Sequence, residues 1–238
     1  MANSYFSFKQ FTVFHDRCAM KVGTDGVLLG VWSDVSSSGK ILDVGTGSGL
    51  IALILAQRNS ASYVLAIDTD LNAVYQAKDN FQNSPFNNRL KVNHVSFQDF
   101  TQNTLEKFSH IVSNPPYFIQ SMKSPDDLRT IARHNDSLPL DRLIQSSKEV
   151  VLDGGKLSLI LPFDQKDEAL EYAQECGWGL SRMTTVFPTT HSKPKRILLE
   201  FTDNYVGNVY ESNLVIEFKR HQYSPEFIEL TKEFYLNH

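Results

Sequence analysis

From residue 40 onward the chain alternates short β-rich runs with stretches of helical period, and this alternation narrows the possible folds more than any other feature. Strands are expected at 40–44, 63–68, 90–95, 110–113 and 156–161, and helices at 49–57, 72–80, 140–152 and 165–175. Parallel strands need long crossover connections and lie buried on both faces, so the order predicts an α/β fold: a mostly parallel sheet with helices on both sides. Gly154-Gly155 and Gly177 are expected to end the last two helices. Runs at 180–187 and 196–202, joined by a polar loop over 188–195, predict an antiparallel hairpin that brings the sheet to seven strands. Ahead of the sheet, 6–14 alternates aromatic and polar residues like an edge strand, and 24–35 predicts a helix capped by Thr24. A strand-like 214–218 and a helix-like 226–235 follow, with no chemistry attached. The reading is one domain over 1–238, with an extension over 1–39, a core sheet over 40–203 and a terminal strand and helix over 204–238.

A length of 238 residues supports one substantial core. The two cysteines, Cys18 and Cys176, match no metal or redox spacing, so no metal is expected and a reducing cytoplasm is. The longest apolar run, 50–56, is too short to cross a bilayer, and the first ten residues hold no basic leader, so no membrane attachment is expected. A net charge of −4 argues against general coating by nucleic acid and leaves only local patches. The candidates are Lys193, Lys195 and Arg196; Arg129, Arg133 and His134; and Lys219, Arg220 and His221. Ordinary solvated surface is the alternative for each.

The first strand runs into Asp43-Val44-Gly45-Thr46-Gly47-Ser48-Gly49 and then directly into a helix. Glycines at such a turn let a ligand approach the backbone, and the helix start offers free N–H groups. Asp68 ends the next strand, 25 residues after Asp43, where a carboxylate can accept both ribose hydroxyls of an adenosine ligand. The spacing G-x-G-x-G, with Asp43 in front, favours S-adenosylmethionine over a dinucleotide: a carboxylate suits an ammonium and repels a pyrophosphate. Asp99 and Phe100 follow the third strand, as partners for the cofactor's adenine or, for Asp99, as a loop cap.

The fourth strand delivers Asn114-Pro115-Pro116-Tyr117 at the carboxyl edge, where open α/β sheets bind ligands. Two prolines hold the backbone extended, so the Asn114 side chain and the Pro115 carbonyl can face one way as paired acceptors. A conjugated amino group is a poor nucleophile because its lone pair is delocalised. Two acceptors on its N–H bonds favour the tetrahedral geometry that frees that pair, and Tyr117 offers a platform on which a planar base can stack. A merely rigid turn is the bland alternative.

With these elements the chain resembles the Rossmann-like class I methyltransferases, and within them the bacterial family that methylates adenine N6 in valine tRNA. The resemblance spans about residues 6–201 and rests further on Phe8-Lys9-Gln10-Phe11 and on the run from His15 to Gly30, which includes Lys21-Val22-Gly23-Thr24-Asp25. It implies conversion of S-adenosylmethionine to S-adenosylhomocysteine on a tRNA, at adenosine 37 beside the anticodon, with no obligate protein partner. It also implies that the extension covers the site, with Lys21, Thr24 and Asp25 over the methionine end of the cofactor. Asp43, Gly45, Asp68 and Asp99 are its other implied contacts, to which the reading of the residues adds Gly47, Gly49, Phe100 and Asn114; Arg133, His134, Lys193, Lys195 and Arg196 are expected near the RNA. Rivals are a glutamine-N5 methyltransferase of a release factor, for whose helical recognition domain the short N-terminal segment leaves little room, and a guanine-N2 methyltransferase of ribosomal RNA. A dehydrogenase or a silent binding protein is disfavoured by the glycine spacing and by the intact Asn114–Tyr117 element.

Overall fold

A computed structural model describes residues 3–36, 39–116 and 138–237. In chain order these form β1 (Tyr5–Ser7), β2 (Thr12–Phe14), α1 (Thr24–Trp32), β3 (Lys40–Val44), α2 (Leu50–Arg58), β4 (Tyr63–Asp68), α3 (Leu71–Gln82), β5 (Leu90–His94), α4 (Phe97–Asn103) and β6 (Phe108–Ser113). There follow α5 (Leu140–Val150), β7 (Val151–Pro162), α6 (Lys166–Glu175), β8 (Trp178–Thr189), β9 (Arg196–Asp203), β10 (Tyr210–Lys219), β11 (Gln222–Tyr223) and α7 (Pro225–Thr231).

One sheet of nine strands runs in the order β11-β10-β8-β9-β7-β6-β3-β4-β5. The expected seven lie consecutively from β8 to β5, with β9 antiparallel between β7 and β8. The C-terminal stretch adds two more: β10 lies parallel to β8, and β11 turns back antiparallel on β10. Side chains alternate across a strand, so neighbouring residues feed different layers. Ile41, Val64, Ala66, Val112, Ile160 and Leu198 face one layer, closed by α1, α2, the N-terminal hairpin and α7. Leu42, Ile67, Ile111, Leu159, Leu161 and Leu199 face the other, closed by α4, α5 and α6. Helix α2 is buried from Leu50 through Ala56 because it lies between sheet and α1. Added carbons at Gly26 and Gly30 would stand 3.0 and 2.9 Å from Leu50 and Ile54, so these glycines permit the close approach of α1.

Three local expectations are corrected. Residues 6–14 do not form one strand: β1 and β2 pair as a separate hairpin, because the Phe8 N–H donates to the Phe11 carbonyl at 2.8 Å and both rings turn into the core, stacked 4.8 Å apart. Thr24 is not the cap of α1; extended Gly23 precedes the helix and no side chain caps it. Gly154-Gly155 do not end α5, which passes directly into β7. They sit within β7 where its register against β6 shifts between Phe108 and His110, a bulge that a missing side chain accommodates. No helix among the described residues is long and apolar enough to cross a membrane.

Candidate functional site

The glycine turn is built for close approach. Gly45 and Gly47 have φ of 72° and 55°, in the left-handed region, and a carbon added at either would meet nothing within 4 Å. Their side of the turn is therefore open floor that a ligand can occupy. The turn is held by the Gly45 and Thr46 N–H groups donating to the Ile67 carbonyl at 3.0 and 3.1 Å, and by the Gly47 N–H donating to Asp68 Oδ2 at 2.8 Å. Gly49 differs: it sits at the N-cap of α2 with φ 81°, and an added carbon would stand 2.5 Å from Phe81. Gly49→Ala should therefore lower stability by roughly 1–3 kcal/mol, read as an earlier denaturant midpoint.

Over this floor lies a cavity of about 230 Å³ at the carboxyl ends of β3, β4, β5 and β6. Its apolar walls include Ile67, Val95, Phe97 and Leu138, a slot suited to a flat ring. Its polar rim carries Asp68, Gln98 and Asn114, followed by Pro115 and Pro116. Asp68 already accepts the N–H groups of Gly47 and Asp70, yet a carboxylate has further lone pairs for two ribose hydroxyls. Ser113 donates through its hydroxyl to the Val44 carbonyl at 2.9 Å, tying the end of β6 to that of β3 and setting Asn114 beside the glycine turn.

Asp43 lies beneath, fully buried. Thr46 donates to Oδ2 at 2.6 Å and the Ala52 N–H also favours the charged carboxylate, but Oδ1 makes no full hydrogen bond. Burial pushes its carboxyl up to about 7, with the Asp68 charge adding to the rise. The open floor and the orphaned buried oxygen both fit a cationic adenosine ligand: Asp43 can attract the ammonium, Asp68 can hold the ribose and the apolar slot can take the adenine.

The N-terminal segment closes the cavity with Cys18, Ala19 and Met20. Helix α3 holds it there. Asn80 accepts the Phe14 N–H at 3.0 Å and donates to the Phe14 and Ser48 carbonyls, each at 2.8 Å; Gln76 accepts the Arg17 N–H; and Arg17 pairs with Asp79 at 2.9 Å. Buried His15 binds the Asn3 carbonyl through Nε2 and accepts the Val22 N–H through Nδ1. Asn80→Ala removes three bonds and leaves buried groups unpaired, so it should weaken binding of the methyl donor about tenfold or more, measured by calorimetry. The Cys18 thiol is pushed up to about 11 by burial and by Asp68, Asp70 and Asp16, so it stays protonated and is no sulfur nucleophile at neutral pH.

Several expected contacts lie elsewhere. Asp99 is held at the start of α4, where N-cap Ser96 accepts its N–H at 3.0 Å and donates to its carboxylate at 2.7 Å. Together with Phe100, whose ring packs near Phe108, it borders a groove outside the cavity; Phe97 and Gln98 stand at the wall instead. Lys21 and Thr24 are exposed off the cavity. Asp25 is paired with Arg196 at 2.7 Å, so a residue expected at the cofactor and one expected at the RNA hold each other and fasten β9 to α1. Lys193 and Lys195 are exposed on the β8–β9 loop. Tyr117, Arg133 and His134 lie outside the described residues. Cys18–Met20, Phe97 and Gln98 were not foreseen; the S-x-x-D pattern of Ser96 and Asp99 could have moved the wall to Phe97 and Gln98. No group of three His, Cys, Asp or Glu among the described residues could hold a metal.

A nucleotide-type glycine turn, a carboxylate at the end of the adjacent strand and Asn-Pro-Pro at the next strand end define a class I, S-adenosylmethionine-dependent methyltransferase. The profile of the methyltransferase small domain matches residues 18–172, and the chain belongs to that family. Among curated proteins it is 51% identical to the tRNA1(Val) (adenine(37)-N6)-methyltransferase of Phocaeicola vulgatus, with 100% of both chains covered. It is 48% identical to the protein of that name from Parabacteroides distasonis, with 99% of each covered. The crystal structure of a predicted O-methyltransferase from Agrobacterium tumefaciens superposes with a TM-score of 0.70 at 19% identity, covering 88% of this chain and 96% of that one, a likeness of fold.

Proposed function

We propose that this protein transfers a methyl group from S-adenosylmethionine to N6 of an adenosine in tRNA, at position 37 beside the anticodon of valine tRNA, in the cytoplasm and without an obligate partner protein. The observation that carries the reading is Asn114-Pro115-Pro116 on the wall of a cavity whose floor is the Gly45–Gly47 turn. The near-full-length likeness to the curated valine tRNA enzymes supports the substrate.

When bound, S-adenosylmethionine supplies a methyl group on an electrophilic sulfonium and leaves as S-adenosylhomocysteine. The protein's residues bind and orient. Asp43 holds charge under the cationic end, Asp68 takes the ribose, and Ile67, Val95 and Phe97 exclude water from around the rings. Asn114 Oδ1 and the Pro115 carbonyl accept the two N–H bonds of the incoming amine and turn its lone pair toward the methyl. The proton then passes to solvent, since neither acceptor is a strong base. In this reading Tyr117 supplies the stacking platform for the base, Arg133 and His134 serve RNA binding, and Lys193 and Lys195 contact phosphate. Arg196 acts as a strut through Asp25.

The test is incubation of the enzyme and labelled donor with total RNA from cells lacking the gene, followed by mass spectrometry of nucleosides. Label in N6-methyladenosine of valine tRNA is expected. Label in a guanine or in a protein, or none at all, would replace this reading.

A further inference from the structure

We propose that Lys219 and Arg220, at the turn from β10 to β11, join Lys193 and Lys195 in a stepped basic ledge that grips the phosphate backbone of the tRNA outside its methylated loop. The proposal rests on the RNA reading above and assigns a role to the C-terminal stretch. Topology carries it. Strand β10 is parallel to β8, and β8, antiparallel to β9, runs in the same direction as β7 and β6. The end of β10 therefore faces the same way as Asn114.

The strand ends also step forward. Ser113 lies opposite Leu159; Pro162, three residues on, lies opposite Arg196, which lies opposite Val186; Thr189, three further, lies opposite Glu217. Lys219 is two residues beyond that. Four strand spacings of about 4.8 Å across the sheet and eight residues of about 3.3 Å along it combine to put Lys219 roughly 30 Å from the acceptor cavity. That is about nine phosphates of stacked backbone at about 3.4 Å each, so a ligand touching both is a structured RNA and not a lone nucleotide.

Lys193, Lys195, Lys219 and Arg220 are exposed, and none forms an ion pair among the described residues, whereas Arg17, Lys40, Lys148, Lys156 and Arg182 each hold a carboxylate. The two loops are tied together, since the Thr190 hydroxyl donates to the Phe218 carbonyl at 3.2 Å. The nearby Glu217 is turned back to accept the His221 N–H at 3.3 Å, and His221 has φ 60°, which makes the turn tight and puts Lys219 and Arg220 at its tip. Arg220 Nε donates to His221 Nε2 at 3.2 Å, a neutral partner that leaves its charge uncompensated; in a chain of net charge −4, four cations without a carboxylate partner among the described residues form the local surplus along one edge that phosphate binding requires.

The experiment is a titration of unmodified valine tRNA against the full chain over a range of salt. With Lys219→Gln/Arg220→Gln, the Kd should rise about tenfold near 0.1 M salt and the log–log salt slope should fall by about 1–2. Donor affinity, the thermal midpoint and kcat at saturating tRNA should hold. Lys219→Glu/Arg220→Glu should deepen the loss. Lys78→Gln/Lys91→Gln, the same charge change on α3 and β5, should leave the slope alone. Superposable curves for the first pair, or an equal loss in the control pair, would overturn the ledge while leaving the RNA reading in place. If the unaltered protein bound and methylated no tRNA, both would fall.

Discussion

Asn114→Ala should lower kcat for methyl transfer by about a hundredfold or more, the scale seen when one preorganised polar group is removed from an active site. Donor affinity should stay within about threefold, because Asp68 and the apolar slot that line the cavity remain, with Asp43 buried behind them. The two effects separate because Asn114 acts on the amine and not on the sulfonium. Its carboxamide is needed only when the nitrogen becomes tetrahedral, so ground-state binding of tRNA should change little. Single-turnover rates with saturating tRNA, beside donor titrations, test this. Near-normal turnover would show that the amine is activated by other groups. Asn114→Asp is the sharper companion: it keeps an acceptor but places a negative charge beside the proline-held backbone, and partial activity is expected.

The second large effect is at Asp43, where function and stability oppose each other. Its carboxyl is raised from 3.8 to about 7 in the folded chain, chiefly by burial. Folding thus favours the protonated form, so Asp43 costs nothing below about pH 4 and an increasing amount as pH rises toward 7, reaching roughly 4 kcal/mol above it. Asp43→Asn removes that cost, so the ligand-free variant should be more stable than the parent at pH 8, by roughly 1–3 kcal/mol after the altered Thr46 contact is counted. The same change should weaken donor binding by about 10–100-fold, because a buried anion under a cationic ligand is lost. The parent should bind the donor more tightly as pH rises from 5.5 toward about 7, since binding must otherwise expel the Asp43 proton, and should then level off. The variant should show no such rise. Melting curves and calorimetry across that range decide it, and a variant that binds as well as the parent would remove Asp43 from the site.

Much of this was readable in the sequence, for stated physical reasons. The glycine turn, Asp68 and Asn-Pro-Pro depend on local backbone geometry, which local sequence encodes. The five parallel strands follow from alternation, and the β8–β9 hairpin from its polar loop. Long-range placement was less legible. Nothing in 214–218 says that its strand adds beside β8, because parallel pairing leaves no short-range signature. Asp99 and Phe100 were expected to face the cavity as strand-end residues, but Ser96 starts a helix there and turns them away, bringing Phe97 and Gln98 forward. Asp25 and Arg196 are 171 residues apart, so their pairing could not be read from either neighbourhood.

The split of each central strand between two hydrophobic layers has a consequence for how the chain can vary. Ile160 belongs to the layer that supports the N-terminal hairpin and α2, while its neighbour Leu159 belongs to the layer of α4, α5 and α6. A change at Ile160 reaches the N-terminal segment over the cavity through its packing; the same change one position away reaches the Ile67 and Phe97 wall of that cavity instead. Adjacent residues on one strand thus act on opposite sides of a single cavity, and neither layer can be repacked without reaching it.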